Sequence, residues 1–90
     1  MTAAAKYEVR IKRSAEKDLD QLPRSHADAI AAAILKLEDN PRPRGSKRLR
    51  ATDGYRIRHG NYRVLYTIDD RFRLVEIVAI GHRRDIYRKI

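Results

Sequence analysis

The sequence predicts a small α+β domain ordered β-α-α-β-β-β. An antiparallel sheet packs on two N-terminal helices, and a short helix closes the chain. Three patterns carry the prediction. Residues 6–12 alternate apolar and charged side chains, as a half-buried strand does. Ala27, Ile30, Ile34 and Leu37 recur at helical spacing. After Gly54 come two alternating runs and one nearly continuous apolar run, the pattern of a three-stranded meander. Ninety residues hold one core, so residues 1–90 are read as a single domain.

The first strand, Lys6–Lys12, puts Tyr7, Val9 and Ile11 on one face and Lys6, Glu8, Arg10 and Lys12 on the other. Ser14 is the expected N-cap of a short helix with Glu16 and Asp18 in its first turns and Ala15, Leu19 and Leu22 on its apolar side. Pro23 ends that helix or begins the next, which runs from about Arg24 to Glu38 and stops at Asn40-Pro41. Residues 41–50 read as a basic loop rich in breakers, a solvated connector or an arm along a nucleic-acid backbone, with Leu49 as its anchor to the core. Residues 54–68 read as two strands joined at His59-Gly60-Asn61. Tyr55, Ile57 and His59 share a face with Tyr62, Val64, Tyr66 and Ile68, leaving Arg56, Arg58, Arg63 and Leu65 on the other. Phe72–Ile80 is expected as a central strand with Val75, Ile77 and Ala79 on one face and Leu74, Val78 and Ile80 on the other, and with an arginine partner for Glu76. A short helix follows Gly81.

Charge is unevenly placed. Residues 1–40 are neutral, residues 41–63 carry +7 and residues 64–90 carry +2. A surplus concentrated in one segment is an electrostatic footprint for a polyanion, and nucleic acid suits it better than membrane because no helix joins a basic face to a strongly apolar one. The absence of cysteine excludes disulfides and thiolate metal sites, and His26, His59 and His82 are too scattered in sequence to suggest zinc. No cofactor or metal is expected. No run approaches a membrane span, and residues 1–6 lack the apolar core of a leader, so the expected location is the cytoplasm.

Arg42, Arg44, Lys47, Arg48 and Arg50 of the basic loop, with His82, are the expected contacts to RNA. No Ser/His/Asp set, glycine-rich phosphate loop or metal-spaced carboxylate set is present. Arg56, Arg58, Arg63 and Arg83 can hold a phosphate and stabilise charge on it, but arginine does not shuttle protons. Tyr87 and His82, with Asp85 nearby, are left for that work; positive charge around a tyrosine favours its phenolate. The set suits metal-free RNA cleavage, in which RNA supplies its own 2′-hydroxyl nucleophile.

Nearly the whole chain resembles, in one order, the RelE/ParE family of toxins from type II toxin–antitoxin systems. The resemblance is carried by residues 7–11, 15–23, 40–41, 47–49, 54–58, 60–66, 68–69 and 81–87. It implies a RelE-like mRNA interferase that enters the ribosomal A site and cuts mRNA there. It also implies catalytic roles for Arg56, Arg58, Arg63, Arg83 and Tyr87, with Tyr87 as general base and Arg63 and Arg83 stabilising the transition state. The implied partners are the ribosome, mRNA and a RelB-like antitoxin that wraps and inhibits the toxin; operator DNA is reached only through the antitoxin. Well-known members carry lysines at the positions of Arg56 and Arg58. Arginine cannot replace a lysine as proton donor, so protonation of the leaving 5′-oxygen falls to His82 or to a ribosomal RNA group. Two other functions share the fold: a ParE-like toxin that poisons DNA gyrase without a catalytic site, and an inactive homologue that binds antitoxin.

Association of the protein with ribosomes should weaken steeply as salt rises, because each neutralised phosphate releases counterions. Cosedimentation across a salt series measures this, and a flat response would remove the polyanion reading.

Overall fold

The computed structural model describes residues 6–50 and 52–89, without the side chains of residues 87 and 89. The residues read above for a leader, 1–5, and the Tyr87 side chain lie outside the described residues. The elements are β1 (Glu8–Ile11), α1 (Arg13–Asp20), α2 (Arg24–Lys36), β2 (Lys47–Arg48), β3 (Tyr55–His59), β4 (Tyr62–Asp69), β5 (Leu74–His82) and a closing 3₁₀ turn (Ile86–Lys89).

The strands form one sheet in the order β1-β5-β4-β3-β2. The meander of β3, β4 and β5 is antiparallel as its alternation predicts, but β1 pairs parallel to β5, so the sheet is mixed. The two intervening helices bring the chain back across the sheet and make a parallel pair possible. The apolar run in β5 is explained by its position between β1 and β4. α1 lies over β5 and α2 over β3.

Several boundaries differ from expectation. Ser14 does not cap α1: the helix begins at Arg13 after Lys12, whose carbonyl accepts the Glu16 amide, and no side chain caps it. The basic segment is not all loop. Ser46 N–H bonds Pro43 O at 2.9 Å and Gly45 has φ +91°, which is a type II turn with glycine where the backbone needs positive φ. The two residues of β2 then add an edge to β3. Leu49 does anchor the segment, packing on the sheet while its amide bonds Gly54 O. Phe72 does not join the last strand; it lies 72% exposed in the β4–β5 turn.

A bulge changes the facing of β5. Leu65 pairs with Ala79 but Tyr66 pairs with Ile77, leaving Val78 as the extra residue. Past it the alternation inverts. Ile80 joins Val75 and Ile77 in the core beneath the helices, with Ile30, Ile34 and Val64, while Ala79 turns to the opposite face with Leu65 and Ile86. Glu76 has Arg10 opposite it in the ladder, yet Arg10 bonds Glu8, and Glu76 makes no ion pair among the described residues.

β1 ends opposite Ile77, so β5 runs on without a strand neighbour on that side. Asp18 of α1 accepts the Ile80 amide there at 3.1 Å and ties helix to strand. At the other end of the sheet a polar clamp holds the basic segment. Arg42 makes paired bonds to Asp70 at 3.1 and 2.8 Å, its Nε donates to the Tyr55 hydroxyl, and Tyr7 donates to Asp70 at 2.6 Å. The buried Tyr66 hydroxyl donates to Pro41 O at 2.8 Å. Burial pushes the Tyr66 phenol up to about 12. The Arg42 and Tyr7 bonds hold the Asp70 carboxyl down at about 2.

A carboxyl depressed from 3.8 to about 2 contributes stability that is present above its unfolded value and is lost as pH falls through its folded value. Asp70→Asn should therefore flatten the acid limb of thermal stability between pH 4 and pH 2 relative to wild type. Parallel limbs in a calorimetric pH series would show that Asp70 is not linked to folding.

Candidate nucleic-acid interface

The two-residue loop Gly60-Asn61 joins β3 to β4, and Gly60 takes φ +56° at its first position, the pattern of a type II′ hairpin turn. That loop sets the register: Tyr55 opposite Tyr66, Arg56 opposite Leu65, Ile57 opposite Val64, Arg58 opposite Arg63. The expected faces follow. Ile57, Val64 and Tyr66 are in the core, and Arg56, Arg58 and Arg63 line the face away from the helices.

Two rows of residues cross that face. In one, Lys47 of β2, Arg56 of β3, Leu65 of β4 and Ala79 of β5 are successive cross-strand neighbours. In the next, Arg58, Arg63 and Gly81 are neighbours. The sheet thus holds two like-charge cross-strand pairs, Lys47/Arg56 and Arg58/Arg63, an arrangement that is unfavourable without a counter-charge. Lys47, Arg56 and Arg58 make no ion pair among the described residues. The half-buried Arg63 donates to Tyr62 O at 3.3 Å. The bulge brings two small residues, Ala79 and Gly81, to this face beside the arginines, and both are buried.

Arg83 follows the end of β5. Its amide donates to Asn61 O at 2.7 Å, which fixes its backbone beside the hairpin turn, and its side chain is exposed. Ile86 is fully buried against Leu65 and Ala79, so the 3₁₀ turn is seated on the arginine face and the backbone of residue 87 follows directly from it.

Arg56 departs from a simple charged surface. It is only 9% exposed, and its Nη1 has no hydrogen-bond partner. A buried donor left unmade costs roughly 1–3 kcal/mol. It lines an open pocket of about 300 Å3 together with Arg44, Gly45, Lys47, Ile57 and Arg58.

The other sequence-predicted contacts separate. Arg44 and Lys47 are exposed and stand beside Arg56 at that pocket. Arg48 bonds Asp53 at 3.3 Å, and Arg50 is exposed. Arg42 is engaged elsewhere, its guanidinium committed to Asp70 and Tyr55 and stacked 5.1 Å from the Tyr55 ring. Nothing in its residue type marks that difference; only the fold brings Asp70 to it. His82 pairs with Tyr62 and packs edge-on to its ring at 6.1 Å, which places it on the helix-facing side, in a cleft with Asp18, Gln21 and Asp85. The structure thus sets His82 away from the arginine row, contrary to its expected place among the RNA contacts. The histidines that are scattered in sequence converge in space: His26 packs on both His59 and Tyr62, and Tyr62 on His82. Among the described residues no group of three His, Cys, Asp or Glu side chains is placed to hold a metal ion. No helix among them is long and apolar enough to cross a membrane.

Fold and face together define a small α+β domain that presents a row of cations on one face of its sheet. The comparisons narrow the class. The family described as the ParE toxin of type II toxin–antitoxin systems matches residues 9–87, and the chain belongs to it, within the RelE/ParE superfamily of toxins. Toxin RelG of Mycobacterium tuberculosis is 39% identical over 85 residues, 92% of this chain and 98% of the relative. Among solved structures, the toxin–antitoxin complex RelBE2 of the same organism holds a chain 34% identical, with TM-score 0.77, covering 87% of this chain and 99% of that one. The archaeal RelE–RelB complex of Pyrococcus horikoshii holds another, 31% identical, with TM-score 0.79, covering 87% and 96%.

Replacing Arg56 by Met keeps the unbranched apolar part of the side chain and removes a buried donor without a partner, whose burial costs roughly 1–3 kcal/mol. Arg56→Met should therefore raise the urea midpoint. A lowered midpoint would mean that Arg56 is stabilised by its surroundings.

Proposed function

We propose that this toxin is a ribosome-dependent endoribonuclease that cuts mRNA in the A site, and that a RelB-like antitoxin holds it inactive. The reading rests on the directly opposed Arg58/Arg63 pair, with Arg83 at the end of the neighbouring strand. Such a cluster supplies positive charge where a phosphate in reaction gathers negative charge. In this mechanism the 2′-oxygen forms a bond to phosphorus as the bond from phosphorus to the 5′-oxygen breaks. The products are a 2′,3′-cyclic phosphate and a 5′-hydroxyl. Tyr87 takes the 2′-hydroxyl proton, while Arg58, Arg63 and Arg83 stabilise the phosphorane. The proton for the leaving oxygen comes from a ribosomal RNA group, since His82 faces the other side of the sheet. An A-site target places the action in the cytoplasm. The structurally similar RelE chains were solved bound to RelB, which supports an antitoxin of that kind as the partner here.

A second reading, poisoning of DNA gyrase, is favoured by the ParE name of the matching family. Expression without antitoxin, with mapping of mRNA 5′ ends, separates the two. The nuclease reading expects growth arrest and new cuts inside translated frames. Tyr87→Phe and Arg63→Ala should each lower the cleavage rate by roughly 10²-fold or more while ribosome binding persists. Arrest with intact mRNA, filamentation and DNA damage would replace this reading with the gyrase one.

A further inference from the structure

Arg56 belongs to a different part of the face from the other arginines. Arg58 and Arg63 oppose each other beside Gly81, near Arg83. Arg56 is one row lower, opposite Lys47, and Leu65 and Ala79, capped by Ile86, continue that row toward β5. On its open side is the pocket at the β2–β3 edge, where Arg44, Lys47 and Arg58 are its charged neighbours.

That pocket is a built site. The type II turn Pro43–Ser46 carries Arg44 and Gly45 at its tip. The turn is held from one side by the Arg42–Asp70 clamp and the Tyr66–Pro41 bond, and from the other by the pairing of β2 with β3. Four cationic residues are thereby placed around one opening with no carboxylate among the residues that line it. Arg56 is 9% exposed, its buried Nη1 retains an unused donor, and Arg44, Lys47 and Arg58 line the same pocket. Burying a cation beside other cations is unfavourable unless an anion completes the set. Guanidinium groups match the oxygens of a phosphate in pairs, and lysine adds a point charge.

We propose that this pocket binds a second RNA phosphodiester, one that is held and not cut, and that Arg56 is a positioning residue for it. The identity of the occupant rests on the nuclease reading above. The strand would then be gripped at two points, the reacting phosphate over Arg58, Arg63 and Arg83 and a neighbouring phosphate over Arg44, Lys47 and Arg56. Two grips fix the direction of the backbone across the sheet and so align the 2′-oxygen for attack.

Inorganic phosphate is the probe. Thermal unfolding in phosphate is compared with chloride at matched ionic strength for wild type, Arg56→Met and Arg44→Gln. At low millimolar phosphate, where its general exclusion from protein surfaces has little effect, phosphate should raise the wild-type Tm, should raise it less in Arg44→Gln, and should have no more effect than chloride on Arg56→Met, because an anion bound only to the folded state adds to stability. The Nε–H signal of Arg56 should shift on phosphate titration in the wild-type protein. In ribosome-programmed cleavage, Arg44→Gln should raise KM roughly tenfold, the worth of one charged contact, with the loss falling on KM rather than kcat. Both variants alter the open pocket, and Arg44 is exposed, so Arg44→Gln keeps the test alive if Arg56→Met does not fold. Phosphate protection no greater than that of chloride, in a chain that cuts mRNA, would overturn the pocket and leave the nuclease. A loss in kcat with unchanged KM for Arg44→Gln would overturn the positioning role. Phosphate protection through Arg56 in a chain that cuts no mRNA would overturn the nuclease reading and with it RNA as the occupant.

Discussion

The register of the β3–β4 hairpin is the constraint on which the rest depends. Side chains alternate with a period of two, so a slip of one residue would turn Arg56, Arg58 and Arg63 into the core and Ile57, Val64 and Tyr66 out to water. Two features hold the register. The Gly60-Asn61 loop suits the right-handed twist of the strands because glycine accepts a positive φ there. The burial of Ile57, Val64 and Tyr66 beneath the helices makes the alternative costly. With the register held, the like-charge pairs Lys47/Arg56 and Arg58/Arg63 persist despite their repulsion. The core stabilises an arrangement that the site alone would not adopt.

Two further devices extend that constraint to the rims of the face. The bulge at Val78 gives β5 different facings along its length, with larger apolar residues under the helices and Ala79 and Gly81 beside the arginines. The clamp of Arg42, Asp70, Tyr7 and Tyr55 does for the basic segment what the bulge does for β5. It takes one arginine out of the charged set and spends it on holding the turn that presents another. Function and scaffolding are thus divided among residues of one type, and their partners decide which is which.

Much of the fold was legible because it rests on local periodicity. The faces of β3 and β4, the apolar stripe of α2, the central place of β5 and the anchoring of Leu49 follow from residue spacing. The parallel pairing of β1 was not legible, since the hydrophobic pattern of an edge strand does not state its direction. The inverted facing of Ala79 and Ile80 depends on a bulge that no glycine or proline marks in Val75–Ile80. Ser14 looked like a cap, but the chain enters α1 two residues earlier, so no local preference operated there.

For the site, residue order alone settles which strands carry the arginines and that Arg56, Arg58 and Arg63 share a face, because alternation along a strand is a local property. It also settles the concentration of charge in residues 41–63 and, through the order of the motifs, the family. Packing in three dimensions makes Arg42 a clamp, turns His82 toward the helices, gathers three distant histidines around Tyr62, and buries Arg56 with a donor unused. Each of those outcomes is a contact between residues far apart in the chain, set by how strands and helices pack, and spacing along the sequence holds no record of it.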